Sequence, residues 1–312
     1  MQFPPTLTKA LDDLLDGVSR KDLAAAAGKM SAGYRQGTTS HGLTTALEAK
    51  AYAVARMPAT YAACAAVFAR LSEVMPDFAP ASLLDVGAGT GAASWAAAAA
   101  WPGIASIAML DRNPALRDLA RKLADAGLPG TEFLSGDVTA QKPKADLVVA
   151  SYVMAEFPQE ASAAIAADLW ESAGAALALI EPGTPDGFAR IRAARAALIE
   201  AGAHVAAPCT HDSACPLVGN DWCHFSQRLS RSRDHMLLKD AHVPFEDERY
   251  SYVVVTRQKA ASGARILAPP LESKPGLTFK LCDESGLRAQ FVASRDKDEY
   301  RRVRKRGWGD LF

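Results

Sequence analysis

The sequence lacks an excess of either charge: 35 acidic residues stand against 35 basic ones in a chain of 312. A formal net charge of zero does not draw nucleic acid over a whole surface, so any basic footprint has to be local. Long apolar runs are missing too. The longest, the alanine-rich segment after Gly91, is too short and too interrupted to span a bilayer, so no membrane partner is expected. The opening MQFPPTLTKALDDLLDG has no basic segment followed by an apolar stretch, and it is not Arg- and Ser-rich like a transit peptide. The expectation is a cytoplasmic protein, in a compartment where thiols stay reduced. Cysteines are few, and their odd number, five, suits a disulfide framework badly. There is no internal repeat.

What is present is a sizeable core, with 49% hydrophobic residues. The length suggests two domains or one large domain with additions. Residues 1–75 read as a helical domain: LTKALDDLLDG, KDLAAAAGKMSAGY and AYAVARMPATYAACAAVFARLSEVM place apolar residues three and four apart. Pro58 falls near the start of a new helix. From residue 76 to 202 the period changes. SLLDVGAG, IASIAMLDR, TEFLSGDV, ADLVVASYV and GAALALIEPG are short apolar runs separated by helical patterns. That alternation predicts an α/β fold with a parallel sheet and helices on both faces. Residues 203–240 break the pattern and form a Cys/His-rich insertion. Residues 241–260, with FEDERYSYVVVTR, read as a returning strand of the core. Residues 261–312 read as a small β-unit, turned at DESG, followed by a basic tail.

The first chemical motif is LLDVGAGTGAAS, which follows a strand and opens a helix. Gly87, Gly89 and Gly91 allow a sharp turn and close approach to a ligand. The spacing G-x-G-x-G differs from the dinucleotide fingerprint. With Asp85 before it, the loop resembles motif I of class I S-adenosylmethionine-dependent methyltransferases. Asp111 ends the next strand, 24 residues after Gly87, where a carboxylate accepts hydrogen bonds from both ribose hydroxyls. Gly136-Asp137-Val138 ends the third, where the methyltransferase pattern meets the adenine amino group. Asp85, Gly87, Gly89, Gly91, Asp111, Asp137 and Val138 are therefore the candidate cofactor residues. The fourth strand runs into SYVMAEFP. Tyr152 and Glu156 stand there, but no residue is a compelling catalytic base, and the catalytic residues are left unknown.

The second motif is CTHDSACPLVGNDWCHFS, with cysteines spaced C-x5-C-x7-C at Cys209, Cys215 and Cys223. A zinc ribbon would show tighter pairs. Cys282, on LTFKLCDESG, is available as a fourth thiolate if that hairpin folds back over the loop. The set suits an iron–sulfur cluster, or zinc held by four sulfurs or by three plus His211 or His224. The bland alternative is buried free cysteines acting as small hydrophobes, the reading preferred for Cys64.

PCTHDSACPL, DWCHFSQRLSRS and FEDERYSYVVV, with IEPGTPDGF, RMPATYAA, KLCDESGL and RKRGWGDLF, together resemble bacterial relatives of the mitochondrial small-ribosomal-subunit methyltransferase-like assembly protein family. The resemblance runs from about Tyr34 onward. It implies a class I methyltransferase core and a factor for the small ribosomal subunit and its rRNA. It also implies a 4Fe–4S cluster on Cys209, Cys215, Cys223 and Cys282. Methyl transfer by the family's mitochondrial members is doubtful, whereas DVGAGTG with Asp111 and Asp137 looks intact here for S-adenosylmethionine.

Two basic groups are candidate RNA contacts: Arg301, Arg302, Arg304, Lys305 and Arg306 in the tail, and Arg228, Arg231 and Arg233 after the cysteine loop. Such groups grip phosphates without reading sequence. Trp308 either stacks on an exposed base or, in the bland reading of a solvated tail, docks on the protein's own surface. Two functions compete: an rRNA methyltransferase that works by positioning, and a non-catalytic assembly factor docking through cluster and tail. A radical enzyme is disfavoured, since its C-x3-C-x2-C loop is missing. A monomer is expected.

Overall fold

The structure, a computed structural model, describes residues 2–35, 42–128 and 130–312. Four helices come first: α1 Pro5–Leu15, α2 Arg20–Arg35, α3 Ala46–Ala55 and α4 Met57–Val74. Proline at the first turn starts α1 and α4, where its missing N–H costs nothing. Thr45 and Glu48 cap α3 reciprocally. In α4 almost every face is buried, Cys64 and Phe68 fully. The helix lies against α5 and the last strands of the sheet and shares one apolar core with them.

The sheet is built from β1 Ser82–Val86, β2 Ser106–Asp111, β3 Thr131–Ser135, β4 Ala145–Ser151, β5 Ala173–Pro182, β6 His204–Ala207, β7 Phe225–Ser230 and β8 Phe245–Thr256. Between them run α5 Ala92–Ala100, α6 Pro114–Ala124, α7 Ser162–Ser172, α8 Pro185–Glu200 and the short α9 Arg233–Leu238. The order is β3-β2-β1-β4-β5-β8-β6. β1 to β5 are parallel, and β8 enters antiparallel between β5 and β6. This is the parallel-dominated α/β architecture expected, with the strand order reversing between β1 and β4. Ligands of such sheets bind at that switch, beyond the carboxyl ends of the strands.

The segment 203–240 is less irregular than its composition predicts, because it supplies two strands. β6 pairs with Val254–Thr256 and β7 with Phe245–Tyr250 of β8. Residues 208–224 are thus an excursion out of an interrupted edge. β6 has four residues, too short for a period to show, and β7 alternates polar and apolar only weakly.

A second sheet holds β9 Arg265–Ile266, β10 Leu271–Ser273, β11 Gly276–Asp283 and β12 Gly286–Ala293, followed by α10 Lys297–Val303. Residues 307–312 are not a solvated tail. Gly309 N–H donates to Ile266 O (2.9 Å), Phe312 N–H to Ala264 O (2.9 Å), and Asp310 pairs with Arg70 at 2.7 Å. Among the described residues no helix is long and apolar enough to cross a membrane.

Candidate functional site

Two sites flank β5. The first is a cavity of about 290 Å³ at the switch, lined by Gly87, Gly89, Asp111, Gly136, Asp137 and Val138, and by Tyr152, Val153 and Glu156 from the turn after β4. Gly87 has φ +67°, and a Cβ on it would sit 2.2 Å from Val153 Cγ2. Only glycine lets the backbone pass there. Asp111 Oδ2 accepts from Gly89 N–H (2.8 Å) and Oδ1 from Asn113 N–H (2.7 Å), which anchors the carboxylate while leaving lone pairs on both oxygens. Burial pushes its pKa up. Asp137 is held below the usual range by the Thr139 hydroxyl and N–H.

Asp85 and Gly91 do not line this cavity. Asp85 is fully buried behind the loop, where Oδ2 accepts from Ser94 N–H (3.0 Å) and Ser94 Oγ (2.7 Å) and so ties β1 to α5. Gly91, at φ +82°, is the N-cap of α5, with Met109 Cε 3.0 Å from the position of a Cβ. Their work is to shape the loop. Sequence reasoning missed Tyr52 and Arg56, which reach the cavity from α3 and the α3–α4 junction. It also missed Glu181, fully buried at the end of β5, whose Oε1 accepts from Met154 N–H (2.8 Å) and fixes the turn after β4. That turn is strained: Tyr152 has φ +60°, costing roughly 1–3 kcal/mol. Its hydroxyl donates to Glu248 at 2.7 Å, and Glu156 lies 3.6 Å from Arg112.

The second site is a cavity lined by all of Cys209, Cys215, Cys223 and Cys282. Cys282 arrives on β11, where it pairs with Arg265 of β9 and Leu287 of β12. Lys280, two residues earlier, reaches Asp221 at 2.5 Å and ties hairpin to loop. Ser251 Oγ donates to Cys223 O (2.8 Å) at the gap between β6 and β7. Burial, then the neighbouring thiols, pushes Cys223 well above the ordinary range and Cys282 up to about 12. Among the described residues, no group of three or more His, Cys, Asp or Glu is close enough about one point to hold a single metal ion. His211 Nε2 lies 3.6 Å from Cys282 Sγ. His224 does not line the cavity; its ring stacks on Trp222 and meets Trp308 edge-on.

Arg195 and Arg265 also line the cysteine cavity, and neither was singled out from sequence. A signal existed for Arg195: on α8, Ile191, Ala194, Arg195 and Leu198 are all buried, so an arginine occupies the core-facing register.

The proposed RNA contacts divide. Arg301, Arg302, Arg304, Lys305 and Arg306 are exposed on and just after α10. Arg228 forks onto Asp247 (2.8 and 2.7 Å), and Arg231 joins Lys239 and His235 around Glu246. Arg231 and Arg233 line a separate recess of about 670 Å³. Trp308 packs on Phe225 and His224, which matches the docked reading of this indole and pins the terminus.

A curated relative, the human mitochondrial ribosome assembly protein METTL17, is 30% identical over 285 residues, covering 84% of this chain and 61% of its own. The mitochondrial Rsm22-cox11 tandem protein 2 of Schizosaccharomyces pombe is 28% identical, over 84% of this chain and 42% of its own. The chain thus spans less than two thirds of the length of each of these relatives. Solved structures similar in fold include the magnesium protoporphyrin IX methyltransferase of Synechocystis (14% identity, TM-score 0.42, 83% of this chain and 100% of that one). The precorrin-6y C5,15-methyltransferase of Geobacter metallireducens is another (15%, TM-score 0.39, 60% and 84%). A family model described as mitochondrial small ribosomal subunit Rsm22 matches residues 46–312, and the chain belongs to that family.

Proposed function

We propose that the protein is a small-ribosomal-subunit assembly factor that binds S-adenosylmethionine and carries an iron–sulfur cluster on Cys209, Cys215, Cys223 and Cys282. The observation that carries the cluster is four cysteines from two distant stretches lining one cavity. All-sulfur donors suit iron–sulfur chemistry. Zinc held by the same sulfurs is the alternative. A cluster spreads its ligands over several irons. When bound, it supplies positive charge that turns these buried thiols into thiolates and locks the loop to the β11–β12 hairpin. The partner assignment rests on the family, and RNA affinity on the exposed basic groups around α10.

The fit to S-adenosylmethionine comes from the glycine turn, the anchored Asp111 and the Asp137 corner around one cavity. The acceptor side favours the non-catalytic reading over methyl transfer, because Tyr152 and Glu156 are already engaged by Glu248 and Arg112. Anaerobic purification with iron and sulfide analysis tests the cluster. The expected result is a brown protein absorbing near ~400 nm, lost in Cys223→Ser; stoichiometric zinc in a colourless protein would overturn it. Radiolabelled methyl transfer to immature small subunits separates enzyme from assembly factor.

A further inference from the structure

The geometry points to Arg195 and Arg265 as a paired cationic cradle for an anionic metal–thiolate centre, each lining the cysteine cavity with a spare buried N–H and setting the centre's charge state. This rests on the iron–sulfur reading above. Both residues line the cavity with the four cysteines. Both are buried, Arg195 at 5% exposure and Arg265 at 0%. Arg195 Nη2 donates to His211 O (2.7 Å) and Ser213 O (2.8 Å) of the loop. Arg265 Nε donates to Pro208 O (2.8 Å), and its Nη1 reaches Gly309 O (2.9 Å) and Glu73 Oε2 (3.1 Å). Each nevertheless keeps one buried nitrogen without a partner, Nε of Arg195 and Nη2 of Arg265.

Buried donors without acceptors are rare and call for an explanation. So do two buried guanidiniums beside thiols, since a buried charge is costly unless paired. Four thiolates carry more negative charge than an iron–sulfide core carries positive, so the filled centre is a net anion. It supplies both the counter-charge and sulfur acceptors for the spare N–H groups. Nearby cations and hydrogen bonds to sulfur raise a cluster's reduction potential, because a one-electron reduction adds one more negative charge. Arg195 has no carboxylate partner among the described residues, whereas Glu73 offsets part of the charge on Arg265. Arg195 therefore carries the larger effect.

The test uses the full chain, reconstituted anaerobically, with iron and sulfide counted and the midpoint potential measured by dithionite titration under EPR. Wild type, R195Q, R265Q, R195K and R265K are compared. R195Q that keeps its iron is expected to shift to lower potential by at least about 59 mV, a tenfold fall in the reduced-to-oxidised ratio for one electron. R265Q shifts less, and each lysine variant shifts less than its glutamine counterpart. A wild-type potential in iron-replete R195Q overturns the cradle and leaves the cluster standing. Should R195Q lose its iron, retention by R195K supports the charge role; equal loss in R195K overturns it, because the fork to the loop carbonyls would then be what matters. A wild-type protein without iron overturns the cluster reading, and the cradle with it.

Discussion

Glu181 shows what a single buried carboxylate does here. Burial raises its pKa to about 8, against the opposing bond from Met154 N–H. Between about pH 4.5 and 8 the folded protein holds a proton that the unfolded chain has released, so stability falls as pH rises through that window. The full effect is about 3–5 kcal/mol. Glu181→Gln should flatten the profile: urea melts at pH 4.5 and 8.5 are expected to show the variant gaining on wild type at the higher pH, and parallel profiles would refute this. Asp85, raised to about 6 by burial with Ser94 pulling the other way, adds a smaller term of the same sign. The role proposed for Asp111 is on ligand instead. A charge-assisted hydrogen bond contributes about 1.5–3 kcal/mol, so Asp111→Ala should weaken S-adenosylmethionine binding roughly 10–150-fold by calorimetry.

At the scale of elements, the glycine turn between β1 and α5 is where local sequence matters most. Gly87→Ala places a methyl group on Val153 at a positive φ and should cost about 2–4 kcal/mol. Denaturation reads this directly; a loss under about 0.5 kcal/mol, within the range of surface substitutions, would mean the turn relaxes. This element was legible, because glycines and strand-end carboxylates are short-range signals. The β6–loop–β7 edge was not. Both of its strands pair with β8, and nothing within residues 203–230 announces that partner.

For the whole molecule, zero net charge leaves RNA affinity to local groups. Arg228 and Arg231 are held by carboxylates at 2.7 and 3.2 Å, whereas Arg301 and Arg302 pair more loosely with Asp298 and Glu299, at 3.6 and 3.7 Å, so the exposed group 301, 302, 304, 305 and 306 is the better candidate face. Truncating the terminus confuses binding with folding, since residues 307–312 are docked on β9 and Arg70. Replacing the five cations by glutamine avoids this. For every phosphate that the variant no longer neutralises, the slope of log affinity against log salt should fall by roughly 0.7–0.9. An unchanged slope on small-subunit rRNA would exclude this face.

The sequence by itself determined the alternation of strands and helices, the glycine loop with Asp111 and Asp137 at successive strand ends, and the cysteine-rich loop. All are written in periods and spacings of a few residues. Only the tertiary structure decided that Tyr52 and Arg56 line the cavity at the switch between β1 and β4, that Trp308 faces inward, and that Arg195 and Arg265 stand beside the four cysteines. Those pairings join residues far apart in the chain, and burial against a distant partner leaves no local mark on either side.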